Sequence, residues 1–169
     1  MRLGQIGVRR ARDQDVAAIA QVHDEAWRLA YRGVIPGRDL ERIVERRGAV
    51  WWRNALRRHA VVLVMEFGGA VAGYATLGPT RMRSLPYVGE IYEIYLKPEY
   101  QGLGFGRHLF AAARAELARY GLKSFAVRVL RANDGAVGFY GRMGGTPVAD
   151  TAERIGETVL PVAVFGWAA

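Results

Sequence analysis

The chain has 169 residues, 51% of them apolar and 24% charged, which suffices for one buried core and predicts a single domain over 1–169. With no cysteine and only the scattered His23, His59 and His108, it has no thiol nucleophile and no ligand-spaced metal set, and no apolar run nears the ~20 residues of a membrane span, so a cytoplasmic protein without metal is expected. The net charge of +8 rests on arginines spread along the chain, with Lys97 and Lys123 the only lysines and no basic tract interleaved with aromatics, which argues against nucleic acid as a partner.

In chain order, Ile6 to Arg10 reads as a first strand. Asp13 is placed to cap a helix whose apolar positions Val16, Ile19, Ala20, Ala26, Trp27 and Ala30 approximate helical spacing, ending near Tyr31-Arg32-Gly33. Gly33 to Gly37 is a connection, and Leu40 to Val44 and Val50 to Leu56 read as further helical turns. The runs Ala60 to Phe67 and Ala70 to Leu77, joined by Gly68-Gly69, predict a hairpin. A loop from Pro79 to Val88 leads to Glu90 to Leu96, a central strand rich in β-branched and aromatic residues, stopped by Pro98. Ser124 to Leu130 is a later strand, Asn133 to Met143 a short helix, and Thr158 to Trp167 a long apolar strand read as a sheet edge. An edge of that kind tends to be paired or covered, so a homodimer is compatible with it.

The most informative segment is Gln101-Gly102-Leu103-Gly104-Phe105-Gly106, three glycines at i, i+2 and i+4 between a strand and an amphipathic helix from about Gly104 to Tyr120. Glycine has no Cβ to keep a phosphate away, and the free amides and dipole of a new helix favour negative charge. Gln101 can donate from its amide and Arg107 can reach a phosphate, so a pyrophosphate is the expected ligand; a glycine-rich turn with no ligand is the plain alternative. A P-loop would need Lys-Ser or Lys-Thr after its last glycine, where this chain has Arg107-His108. A dinucleotide fingerprint would need G-x-G-x-x-G and an acidic end to the next strand, where this chain has G-x-G-x-G and Arg131.

The strand ending Tyr95-Leu96, followed by Pro98-Glu99-Tyr100 and Gln101 to Arg107, resembles the acetyl-CoA signature Q/R-x-x-G-x-G/A of the GNAT acetyltransferase superfamily. Asn133, Ala136, Phe139-Tyr140 and Gly144 resemble its second motif, N-x-x-A-x-x-F/L-Y-x-x-x-G. The likeness is strong from Glu90 to Gly145. Trp27, Tyr31-Arg32-Gly33 and Pro36 extend it weakly, being similar to the substrate-side helices of small bacterial members.

That resemblance implies an α/β fold: a twisted mixed sheet of six to seven strands, helices on both faces, and a split between the fourth and fifth strands. It implies acetyl-CoA as co-substrate. The pantetheine arm would lie along Ile94, Tyr95 and Leu96, the pyrophosphate on Gln101, Gly102, Leu103, Gly104, Phe105, Gly106 and Arg107, and Asn133 would contact the arm or serve as a helix N-cap. The implied reaction is transfer of acetyl to an amine by direct attack in a ternary complex. Tyr140 sits at the family's proton-donor position, with a packing role as its alternative. Glu90 matches the fourth-strand glutamate of several members, with Glu93 next and ordered water or Glu25 after them. A regular strand points Glu90 and Glu93 to opposite faces, while a bulge would change which one faces the acetyl group. Members that acetylate ribosomal-protein N-termini carry a glutamate five residues before the asparagine; here that position is Arg128. The acceptor side is expected to involve Glu25, Trp27 and Tyr31, with Asp24 nearby; Trp27 and Tyr31 are equally readable as core or dimer contacts, and Arg81-Met82-Arg83 as a receiver for an acidic substrate. A non-catalytic acyl-CoA-binding sensor or interaction module is the alternative function.

Overall fold

Apolar segments rich in β-branched residues pair into one seven-stranded sheet among residues 4–169, which the computed structural model describes. The strands are β1 Ile6–Arg10, β2 Val61–Phe67, β3 Ala70–Pro79, β4 Gly89–Leu96, β5 Phe125–Leu130, β6 Thr146–Ile155 and β7 Thr158–Trp167, in the spatial order β1-β2-β3-β4-β5-β7-β6. Every neighbouring pair is antiparallel except β4 and β5, whose parallel pairing needs the long crossover that a helix supplies. The helices are α1 Val16–Tyr31, α2 Gly37–Arg46, α3 Ala49–Arg57, α4 Phe105–Arg119 and α5 Asp134–Arg142.

Strand alternation sorts the core into two layers. Leu63 and Met65 of β2 point to the face covered by α4, where Leu109, Ala113 and Leu117 meet Leu77, Ile91, Phe125 and Val127. Their neighbours Val62 and Val64 point the other way, to Val16, Ile19 and Val22 of α1 and Trp52 of α3. A third cluster joins Tyr31, Leu40 and Val44 to Leu130, Ile155 and Val162. Full burial of each such side chain is worth roughly 1.5–3 kcal/mol, which fixes helices on both faces of the sheet.

The hairpin turns as expected, with Gly68 and Gly69 both at positive φ, 59° and 84°. Three expectations are corrected. Asp13 does not cap α1: it opens a 3-10 turn, and Asp15 accepts the Arg12 N–H at 2.7 Å while pairing with Arg9. Residues 146–155, for which the sequence reading assigns no strand, form β6; its largely exposed side chains on both faces erase the alternation that marks a half-buried strand. β7 is therefore interior, between β5 and β6, and the free edge that suggested a homodimer does not exist there.

The sheet opens at its centre. β4 and β5 pair only through Gly89 with Phe125 and Glu90 with Ala126, then part. On its other side β4 carries a bulge: Leu77 pairs with Ile91 and Thr76 with Glu93, leaving Tyr92 as an extra residue. A bulge bends its strand and increases local twist, and this one sits where β4 leaves β5.

Candidate active site

The split between β4 and β5 is the mouth of a cavity of about 830 Å³. Beyond Glu90 the side of β4 facing β5 has no strand partner, so the backbone groups that Tyr92 to Tyr95 turn to that side are free to bond a ligand laid along them. Ile94, Tyr95 and Leu96 all line the cavity.

The glycine loop closes one end, and its three glycines do different work. Gly102 and Gly104 have φ of +76° and +83°, the left-handed region, and a Cβ on either would meet nothing within 4 Å, so both keep open space in front of the backbone. Gly104 is the N-cap residue of α4, whose first amides therefore face this space. Gly106 serves packing instead: a Cβ there would lie 3.1 Å from the Phe139 ring. Gln101 spends its side-chain amide on the Leu96 carbonyl at 3.0 Å, tying the loop to the end of β4. Leu103 is exposed and Phe105 is buried against Phe67 and Tyr100; neither side chain belongs to the lining. Arg107 lines this end with Arg142, and the two guanidiniums add positive charge to a cradle suited to a pyrophosphate.

α5 forms the opposite wall. Asn133 caps it, accepting the Ala136 N–H at 3.2 Å, and its amide also donates to the Tyr31 hydroxyl at 3.5 Å. Tyr140 is buried, 5% exposed, yet borders the cavity. Burial, helped by nearby Tyr31 and Glu93, pushes its phenol above the ordinary range, so it stays protonated at neutral pH. Phe139 takes the packing role, edge-on to Phe110.

The bulge decides the carboxylates. Glu90 pairs with Gly78 and Glu93 with Thr76, two residues apart on β3, so both side chains share one face, as a bulge allows and a regular strand would not. They differ in access. Glu90 is fully buried, bound by the Arg81 backbone N–H at 2.9 Å and guanidinium at 2.8 Å, and is absent from the lining. Glu93 borders the cavity, accepting from Arg47 and from the Tyr74 hydroxyl, each at 2.6 Å.

The acceptor half is an aromatic wall. Trp27 stacks on His23 at 5.2 Å and leans on Tyr31 at 4.6 Å and Tyr95 at 6.0 Å, and Trp27, Tyr31 and Tyr95 line the cavity. Glu25 does not; it accepts from Gln21 at 3.1 Å on another side of α1. The sequence reading missed Arg47, Tyr92, Arg142 and Glu153, all of which line the cavity, and gave Arg128 no role there. No local signal marks Arg47, which reads as one of the arginines spread along the chain until α2 and α3 carry it under β4.

Comparison with known proteins agrees with this geometry. The model describing the acetyltransferase (GNAT) family matches residues 16–145. The chain is 32% identical over 162 residues to an uncharacterized N-acetyltransferase, YuaI, of Bacillus subtilis, covering 96% of this chain and 92% of that one. It is 26% identical over 147 residues to a spermidine N(1)-acetyltransferase of Thermoplasma acidophilum, covering 86% and 91%. Its fold is similar to the crystal structure of the PaiA N-acetyltransferase of Thermoplasma acidophilum in complex with coenzyme A, with a TM-score of 0.78, 20% identity and coverage of 96% and 99%.

Proposed function

The chain belongs to the acetyltransferase (GNAT) family, and from that premise we propose that it moves an acetyl group from acetyl-CoA to a primary amine by direct attack within a ternary complex. The observation that carries the reading is the continuity of one cavity from the glycine cradle, along the unpaired side of β4, to Tyr140 and Glu93.

The residues fit the co-substrate. Open space before Gly102 and Gly104 and the amides at the start of α4 suit a pyrophosphate, with Arg107 adding charge, and the side of β4 at Ile94 to Leu96 that has no strand partner suits the amides of a pantetheine arm. Bound acetyl-CoA supplies the thioester. An amine attacks only when neutral, and most amines arrive protonated. Glu93, directly or through one water, accepts that proton, whereas Glu90 has no route to it from inside its Arg81 contact. As the N–C bond forms, the C–S bond breaks, Tyr140 gives its hydroxyl proton to the departing sulfur, and the second proton that the nitrogen sheds to become the amide restores the Tyr140 phenol, directly or through water. The products are the amide and the free thiol. A phenol held neutral by burial matches that duty.

Tyr31 is a positioning residue in this reading, held between the Tyr95 hydroxyl at 3.4 Å and Asn133. Nothing in the cavity favours a non-catalytic acyl-CoA-binding role, and a homodimer is no part of the proposal. The test follows thiol release from acetyl-CoA over a panel of primary amines. Amine-dependent release that falls ~10²–10⁴-fold in Tyr140→Phe, with acetyl-CoA affinity kept, is the expected result. Binding without release from any amine would favour the sensor role.

A further inference from the structure

Three arginines reach the acceptor half of the cavity, and two are matched in place: Arg47 by Glu93 and Arg81 by Glu90. Arg128 alone of the three has no ion pair among the described residues, and its Nε, like that of Arg47, is buried without a hydrogen-bond partner. A buried N–H of a charged group left unpaired is costly, so a partner is called for.

Register says which ligand could supply it. Ala126 of β5 pairs with Glu90, so the two side chains share a face, and alternation puts Arg128, two residues on, on that same face. Glu93 is on it too, across the split. This is the face covered by α1, opposite to the one covered by α4, which separates Arg128 from the phosphate cradle at the start of α4. The cation therefore serves the acceptor, and the aromatic wall of Trp27 and Tyr31 faces the same space. Glu153, a carboxylate of the lining without an ion pair among the described residues, is exposed, where water and salt weaken its pull on a cation.

We infer that the acceptor is a free amino acid, its carboxylate held by the Arg128 guanidinium and its amine presented toward Glu93. The planar fork of an arginine matches a carboxylate through two parallel hydrogen bonds. A polyamine has nothing to offer that fork, and a protein N-terminus has an amide where the carboxylate belongs. This rests on the acetyltransferase reading above.

The test uses the purified full chain with acetyl-CoA and the common L-amino acids, each against its own carboxamide, with spermidine alongside. At least one amino acid should exceed its carboxamide in kcat/KM by about tenfold or more, although the carboxamide's amine loses its proton more readily. Arg128→Gln should raise KM for that acid and bring the acid-to-amide ratio to within about threefold of unity, and Arg128→Lys should recover part of it. In parallel, calorimetry on the chain saturated with coenzyme A should show the same preference in binding, lost in Arg128→Gln. A binding preference without turnover would keep the carboxylate anchor and sink the acetyl-transfer reading. Turnover with no acid preferred over its amide, spermidine as the best acceptor, a ratio unmoved by Arg128→Gln, or no amino acid bound at all would overturn the inference.

Discussion

His23 makes a prediction whose size can be worked from its surroundings. It is fully buried on α1, stacked on Trp27, edge-on to Tyr95 at 6.4 Å, with both ring nitrogens unpartnered. Burial, and then the positive charge of Arg47, lower its pKa from 6.5 to about 3. The folded state thus holds a neutral imidazole while the unfolded chain takes up a proton below pH 6.5. Stability is fully present above 6.5 and falls with pH until about 3, because only the unfolded state binds the proton in that window. The loss approaches ~1.4 kcal/mol per pH unit and amounts to about 2 kcal/mol at pH 5. For a chain of this length that is a fall in Tm of roughly 4–8 °C. Most carboxylates titrate lower and contribute little between pH 6.5 and 5, and comparison with His23→Leu separates His23 from the other ionisable groups. Urea melts of wild type and His23→Leu at pH 7, 6 and 5 check it. Wild type should lose stability across the series and His23→Leu should stay flat; parallel losses, or a flat wild type, would refute the assignment.

Glu93→Gln should cut kcat by ~10²–10⁴, as initial rates at saturating acetyl-CoA would show. Glu90→Gln should instead cost about 1–2 kcal/mol of stability through its Arg81 contact, leaving kcat within a few-fold, as urea melts and initial rates would show. Trp52→Ala should cost about 3–5 kcal/mol in urea melts, because the indole is fully buried against Tyr74 at 4.8 Å and its removal opens a cavity between α3 and the sheet.

The parts legible in sequence were those whose signal is local. The Gly68-Gly69 hairpin, the Gln101 to Gly106 loop and the cap at Asn133 each need particular residues at particular spacing, and each is where the sequence put it. β6 was hidden because an edge strand with solvent on both faces need not alternate. Glu25 lies two residues before Trp27, about 200° round the helix, and so off the face that lines the cavity, a phase that the approximate helical spacing did not resolve. That Glu90 lies buried under Arg81 while Glu93 borders the cavity was not legible, because it depends on the path of the loop before β4 rather than on the strand. Tyr92 as a bulge, Arg47 beneath Glu93 and Arg128 across from it are products of register and packing between distant segments, to which no short spacing is sensitive.

The central claim is that the split sheet and its glycine loop bind acetyl-CoA, and calorimetry on wild type and Gly104→Ala tests it most directly. Gly104 sits at φ +83° with open space before it, so an added Cβ both strains the loop and projects where the phosphates are proposed to lie. One-to-one binding by wild type, weakened about tenfold or more in a Gly104→Ala variant that still melts cooperatively, is the predicted result. No binding by wild type, or equal binding by the folded variant, would contradict the account.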